Sequence, residues 1–231
     1  ISLTKNSSEG KVNTKQESLE IEKETPVSIL INGKDKPGFY VITKALEIGI
    51  KKAKKTGLVA VGCTNVSPAS GMIGHYARIA TENNLIFIGF NNSNGGLIPH
   101  GAIKELWGTN PLTVGIPSNN LPVIFDSSSS KIPYGKVILA KNANEKLPEN
   151  VALDSNGEVT LDPLAVLNGG GLLPFGEYKG SGIAFIVELL GGALTKSVVG
   201  KKTLGGWGSF FILIDPSIFR DLKEFKSEVS T

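Results

Sequence analysis

From residue 26 onward, short apolar runs alternate with turn-forming residues, and the spacing of the apolar positions identifies the elements. PVSILING (26–33) alternates with a period of two and stops at Asn32-Gly33, which predicts a strand ending in a turn. After Pro37-Gly38, the residues Val41, Ala45, Ile48 and Ala53 recur at helical spacing, Lys fills the other face, and Gly57 stands where a left-handed C-cap belongs. That pattern predicts a helix packed on something flat. Residues 58–62 form an unbroken apolar strand, 71–83 a helix and 85–90 a second apolar strand. Strand, helix, strand with short loops reads as an α/β unit with a right-handed crossover, provided the two strands pair in parallel.

Beyond Gly108 the texture changes. LTVGI, LPVIFD and KVILAK are short apolar runs separated by Pro, Asn and Ser, which predicts antiparallel strands. Residues 181–194 are hydrophobic nearly all round and predict a buried helix, GSFFILID a closing strand, and 216–219 a helical turn. A few helices among many short strands predict an α+β domain with a mixed, largely antiparallel sheet rather than a doubly wound one. Residues 1–25 are polar, Lys/Glu-rich and weakly periodic, and read as an exposed edge or N-terminal arm; the ordered domain is placed at 26–231.

Composition narrows the function classes. With 231 residues, 40% hydrophobic and 19% charged, the chain reads as a globular protein with a full core. The net charge of +3 is small and almost entirely Lys; Arg occurs only at Arg78 and Arg220, which argues against a nucleic-acid partner. The single Cys63 excludes an intramolecular disulfide and reads as a buried thiol in a reducing compartment. No apolar run reaches the ~18 residues of a membrane span, and no signal-peptide pattern is visible. A cytoplasmic location is therefore expected.

The candidate chemistry lies in loops. CTNVSPASGMIGHYA (63–77) runs from a strand through a polar loop into a helix, an arrangement that often holds a small anion on unpaired helical N–H groups. GGGLLPFGEYKGSG (169–182) lacks the Lys-Ser/Thr that a Walker loop needs after its last Gly, yet it sets Lys179 at the start of a helix, where cation and dipole together would hold a phosphate or carboxylate. A Gly-rich loop with a solvated Lys is the plainer reading. LPVIFDSSSSKIPYGK (121–136) ends a strand in Asp126 and four serines, which can bind ribose hydroxyls and phosphate oxygens or simply form a turn. GTNP (108–111) is a turn whose Asn side chain can bond its own backbone, and Asp154 with Asn156-Gly157 is a turn without the later Glu of a calcium loop. With only His75 and His100 and one Cys, no metal site is expected. His75, a lone helical His, is a weak catalytic candidate.

Taken together, these runs resemble one family. AxxxGIKKAKKTGLVAVGCTN, GMIGHYARIATENNLIFIGFNNS, GTNPL, IFDSSSSKIPYGK, LPENVALDSNGEVTLDP and LLPFGEYKGSGIAFIVELLGGAL appear in the order of the malate/L-lactate dehydrogenase type of NAD(P)-dependent oxidoreductases, over about residues 26–225. That family includes ureidoglycolate, sulfolactate, diketogulonate and cyclic imino acid enzymes. The resemblance implies a non-Rossmann cofactor domain, a homodimer with active sites near the subunit interface, NAD or NADP as cofactor, and a small 2-oxo or 2-hydroxy acid as substrate. It implies that Ile124, Phe125, Asp126, Ser127, Ser128, Ser129 and Ser130 line the cofactor. Tyr178 and Lys179 would meet it from the helix start, and Asn92 and Ser93 would approach the nicotinamide nucleotide. Aligning Gly71, Gly74 and Tyr76 with the family motif puts Ala69 where relatives carry a proton-transferring His, and an alanine methyl shuttles no proton. Neither the family's Ser-His-Gly region nor its C-terminal Pro-Gly-Glu segment is found. The alternative expectation is therefore a truncated or non-catalytic member that binds nucleotide or acts as a dimeric scaffold.

Overall fold

Residues 19–67, 70–200 and 206–230 are described by the computed structural model. Its strands are β1 (Glu20–Thr25), β2 (Ser28–Pro37), β3 (Leu58–Ser67), β4 (Ile86–Asn91), β5 (Leu112–Ile116), β6 (Val123–Ser127), β7 (Ala152–Leu153), β8 (Gly171–Leu172) and β9 (Trp207–Ile214). Seven of them form one sheet in the order β1-β2-β3-β9-β4-β5-β6, and β7 pairs with β8 separately. Only β2 and β3 pair in parallel; every other pairing in the large sheet is antiparallel. The α+β class expected from the sequence is what forms.

The parallel pair is joined by α1 (Gly38–Thr56), which ends at Gly57 in the left-handed conformation with φ 80°, as its sequence predicts. Val41, Ile42, Ala45, Leu46 and Ala53 of α1 are buried against Ile29, Ile31, Val59, Val61, Phe211 and Leu213, on one face of the sheet. The helix α2 (Gly74–Glu82) lies on the same face and adds Tyr76, Ala77 and Ala80 to this core. Each fully buried side chain of Leu, Ile or Phe size contributes roughly 1.5–3 kcal/mol relative to exposure. Gly115 lets α2 approach β5, since a Cβ there would sit 3.0 Å from the Cβ of Ala77. A smaller core gathers Ile132, Val137, Leu147, Val151, Val166 and Leu172 under the second half of the chain.

Four features differ from the sequence expectation. Strand β1, in the polar N-terminal stretch, adds an edge strand to the sheet by pairing antiparallel with β2; residues 1–18 of that stretch lie outside the described residues. Charge keeps that edge soluble, with Lys52 Nζ 2.6 Å from Glu24 and Lys34 Nζ 3.2 Å from Glu20. Strands β3 and β4 run in the same direction but do not pair, because β9 inserts between them and bonds to both. KVILAK is part of the helix α3 (Tyr134–Ala143), entered through Pro133, in which Val137 and Ala140 are the buried positions three residues apart. The apolar helix α5 (Tyr178–Val187), which follows the short α4 (Pro163–Leu167), continues as a π-helical segment over Glu188–Ala193. It is not buried all round: Phe185 and Ile186 are 47% and 49% exposed. The final helix is α6 (Leu222–Val229).

Candidate functional site

The helix start that the sequence marks as an anion site already holds an anion of the protein's own. Asp126 Oδ2 accepts the Gly74 N–H at 2.7 Å, and Oδ1 accepts the Thr113 hydroxyl at 2.8 Å. The register explains the geometry. Asp126 pairs with Thr113, whose side chain faces the α2 side of the sheet, and period-two alternation sends both toward that helix. The carboxylate therefore meets the positive end of α2. Pro68 and Ala69, including the position aligned with the family's His, lie outside the described residues. His75 is exposed, with its ring edge-on to Tyr76 at 5.6 Å.

The serine corner is built differently from residue to residue. Ser129 and Ser130 are buried, with Ser129 Oγ donating to the Asn110 carbonyl at 2.7 Å and Ser130 Oγ to the Ile132 carbonyl at 2.6 Å. Their hydroxyls hold the turn. Ser127 and Ser128 are partly exposed and donate only to carbonyls within the turn, at 3.0 and 3.2 Å. Ile124 and Phe125 sit exposed on the edge strand β6. Asn92 is 2% exposed and fully engaged, its Oδ1 accepting the Gly208 N–H at 2.7 Å and its Nδ2 donating to the Val198 carbonyl at 2.6 Å. Ser93 is partly exposed and donates its N–H to Asn110 Oδ1 at 3.2 Å. Gly108 backs directly onto Ser93, leaving no room for a side chain.

The start of α5 meets this corner. The Phe175 N–H donates to the Ser129 carbonyl at 3.0 Å, and a Cβ at Gly180 would stand 2.9 Å from that same oxygen. Immediately before α5, Gly176 and Glu177 both have positive φ, 52° and 57°, the latter in a region that side-chain-bearing residues avoid. The N–H groups of Lys179, Gly180 and Ser181 bond to the carbonyls of Gly176, Phe175 and Glu177. The turn thus satisfies part of its own helix start, with Tyr178 and Lys179 exposed beside it.

Between α5 and the sheet lies a cleft of about 670 Å³, lined by Phe90, Leu112, Tyr178, Lys179, Ile183 and Ile186 among others. Leu112, which lines the cleft, pairs with Ser127 in the β5–β6 ladder, so Ser127 stands next to a lining residue. Asp126 does not share it: its side chain faces α2, on the opposite side of the sheet from Phe90 and Leu112. The structure joins the Ser127–Ser130 corner to the loop before α5 through the Ser129 carbonyl, sets Tyr178 and Lys179 in the cleft lining, and turns the Asp126 carboxylate to the opposite face of the sheet. Apolar walls with one ammonium and neighbouring hydroxyls suit a flat ring joined to an anionic group.

Two residues that the sequence reading leaves out of the site, Asn110 as a turn residue and Glu188 without comment, lie beneath this arrangement. Asn110 is 0% exposed, with φ 35°, and instead of its own backbone it bonds Glu188 Oε2 at 2.7 Å and the Ala184 carbonyl at 3.0 Å. Glu188 is 2% exposed, and its other oxygen accepts the Gly200 N–H at 2.7 Å. Burial raises its pKa above the ordinary carboxylate value, while hydrogen bonds from Gly200, Asn110 and Asn92 pull it back down. The available signal was a lone acid inside an otherwise apolar run, IAFIVELLGGAL.

Comparison with known proteins places this architecture. It resembles the crystal structure of malate dehydrogenase from Entamoeba histolytica with a TM-score of 0.86 and 27% identity, over 92% of this chain and 64% of that one. The fold is thus that of a non-Rossmann dehydrogenase domain. The chain belongs to the malate/L-lactate dehydrogenase family, whose sequence profile matches residues 2–231. It is 40% identical over 220 residues to the malate/(S)-sulfolactate dehydrogenase of Methanothermus fervidus, covering 92% of this chain and 64% of the relative. It is 34% identical over 193 residues to the (2R)-3-sulfolactate dehydrogenase (NADP(+)) of Chromohalobacter salexigens, covering 79% of this chain and 57% of that one. The chain spans less than two thirds of the length of either relative.

Proposed function

We propose that this chain is the nucleotide-binding part of an NAD(P)-dependent oxidoreductase that transfers a hydride between NADH or NADPH and a small 2-oxo or 2-hydroxy acid. One observation carries the reading: the serine corner, far in sequence from the Tyr178-Lys179 helix start, is hydrogen-bonded to the loop that opens that helix, beside a cleft that Tyr178 and Lys179 line. The residues suit a dinucleotide. Lys179 offers a charge for a phosphate, Ser127 and Ser128 offer hydroxyls, the walls offer apolar contact for a ring, and at Gly182 an added Cβ would meet nothing within 4 Å. When bound, the nicotinamide supplies the hydride; the protein supplies position and charge. Malate and sulfolactate in the relatives' names support a hydroxy-acid substrate. In this reading Asp126, Asn92, Ser129 and Ser130 shape the site from behind, and the proton-transferring group is not Ala69. The protein works as a cytoplasmic homodimer, a state supported by the exposed apolar stripe of α5.

Titrating the protein with NADH and NADPH and following nucleotide fluorescence tests the reading. Binding is expected, and Lys179→Ala should raise Kd about tenfold, the equivalent of ~1.4 kcal/mol. Absence of binding to either nucleotide at millimolar concentration would remove its basis. Reduction of oxaloacetate, pyruvate or 2-oxoglutarate above background identifies the acid.

A further inference from the structure

Residues 180–194 contain one charged side chain, Glu188, and it is buried. A carboxylate in such a place carries a desolvation cost that a Leu or Met would not, so its partners are what keep it there. One oxygen takes Asn110 Nδ2 and the other the Gly200 N–H, both at 2.7 Å. From Asn110 the connections spread outward. Its Oδ1 accepts the Ser93 N–H, its carbonyl accepts Ser129 Oγ, and its amide also donates to Ala184 on α5. Three segments that border or approach the cleft (91–93, 127–130 and α5) therefore meet at a single buried acid–amide pair, and Gly200 ties a fourth to it.

The local helix geometry serves that meeting. Glu188 opens the π-helical segment, where a wider turn replaces the regular ladder; Leu194 N–H reaches the Leu189 carbonyl at 2.8 Å and Ser197 N–H the Gly192 carbonyl at 2.9 Å. The glycines of that turn let the loop after β4 come close, a Cβ at Gly191 standing 2.9 Å from the Asn92 nitrogen. Both members of the pair are buried and hydrogen-bonded on each side chain, so each segment is tied to the next through them.

We propose that Glu188 is a positioning residue for the nucleotide: through Asn110 it sets the spacing between the Ser93 segment, the serine corner and the helix that carries Tyr178 and Lys179. The inference rests on the nucleotide-binding reading above and adds to it the element on which affinity depends. Glu188 itself touches no ligand; its effect passes through residues that do.

The isosteric variant Glu188→Gln turns one of the two accepting oxygens into a donor facing a donor. NADH and NADPH titrations of the whole chain, with circular dichroism to verify folding, should show Kd raised about tenfold or more with helix content unchanged. Asn110→Asp introduced into that variant lets the new amide donate to the new carboxylate, and nucleotide affinity should recover in part, since an oxygen then replaces the donor that faced the Ala184 carbonyl. Wild-type affinity in a folded Glu188→Gln protein overturns the inference alone, whereas wild-type protein that binds neither nucleotide overturns the functional reading and this inference together. Hydrogen exchange on the wild type needs no variant to fold: NADH should slow exchange at the Ser93 and Gly200 amides in concert. An unchanged Gly200 amide alongside bound NADH overturns the coupling.

Discussion

Asp126 shows how a residue chosen for ligand chemistry can be spent inside the fold. With one oxygen on the Gly74 N–H and the other on Thr113, Asp126→Ala should cost about 1–2 kcal/mol of stability in urea unfolding, the loss of a helix cap plus a hydroxyl contact. Asp126→Asn keeps an acceptor and should cost less. Cys63 follows from burial alone: desolvation pushes its thiol up to about 12, so native protein at pH 8 should leave alkylating reagents unreacted, and one thiol should appear on unfolding in guanidinium. Glu188 gives a signed pH effect. Its carboxyl is raised in the folded state, so its stabilising contribution is complete below the ordinary value of 4.5 and is lost as pH rises through the raised one. Thermal unfolding should show wild type losing ground to Glu188→Gln from acid toward neutral pH; a constant difference would contradict the assignment. At this scale the sequence displayed residue types but not partners. Asp126 and Lys179 both read as cofactor contacts because nothing in a one-dimensional pattern tells which face of β6 a carboxylate takes.

Elements were legible wherever one segment's own periodicity decides them. Helix α1 with its Gly57 cap, the β4 and β9 runs and the Asp154 turn all appear where their patterns put them. Long-range pairing was not legible. The insertion of β9 between β3 and β4 depends on a strand about 120 residues downstream of β4, and no local pattern encodes that choice. KVILAK failed for a related reason: six apolar-rich residues fit either period, and Pro133 followed by packing on the smaller core selects the helix. The start of α5 yields a test of the strain it carries. Glu177 has φ 57° and ψ −117°, a conformation open chiefly to glycine. Glu177→Gly should therefore be more stable than Glu177→Ala by about 1 kcal/mol, the reverse of their order inside a helix. The opposite order in chemical denaturation would mean that the turn relaxes elsewhere.

Over the whole molecule, the two faces of the sheet are treated unequally. Helices α1 and α2 cover one face with a closed core, whereas the other carries α5 at one end, and Phe185 and Ile186 of α5, which line the cleft, and Leu189 just beyond α5 remain exposed. A further apolar group, Leu121, Val123 and Phe125, lines the free edge at β6, in contrast to the charged edge at β1. A charged edge resists association, and an apolar one invites it. Nothing polar interrupts the outer stripe of α5 between Gly182 and Leu189, since Glu188 on the same segment is buried and bonded inward. A side chain brought against this stripe loses no hydrogen bond there, so the stripe is the place to break self-association without disturbing the core. Leu189→Lys adds a charge at a position 37% exposed and outside the cleft lining, where its ammonium can reach water. Sedimentation equilibrium should show wild type as a dimer and this variant shifted toward monomer, with unfolding midpoints within about 0.5 kcal/mol of each other, as for surface substitutions in general. A dimer of unchanged strength in Leu189→Lys would move the contact away from this helix, and the β6 edge would be the next surface to charge.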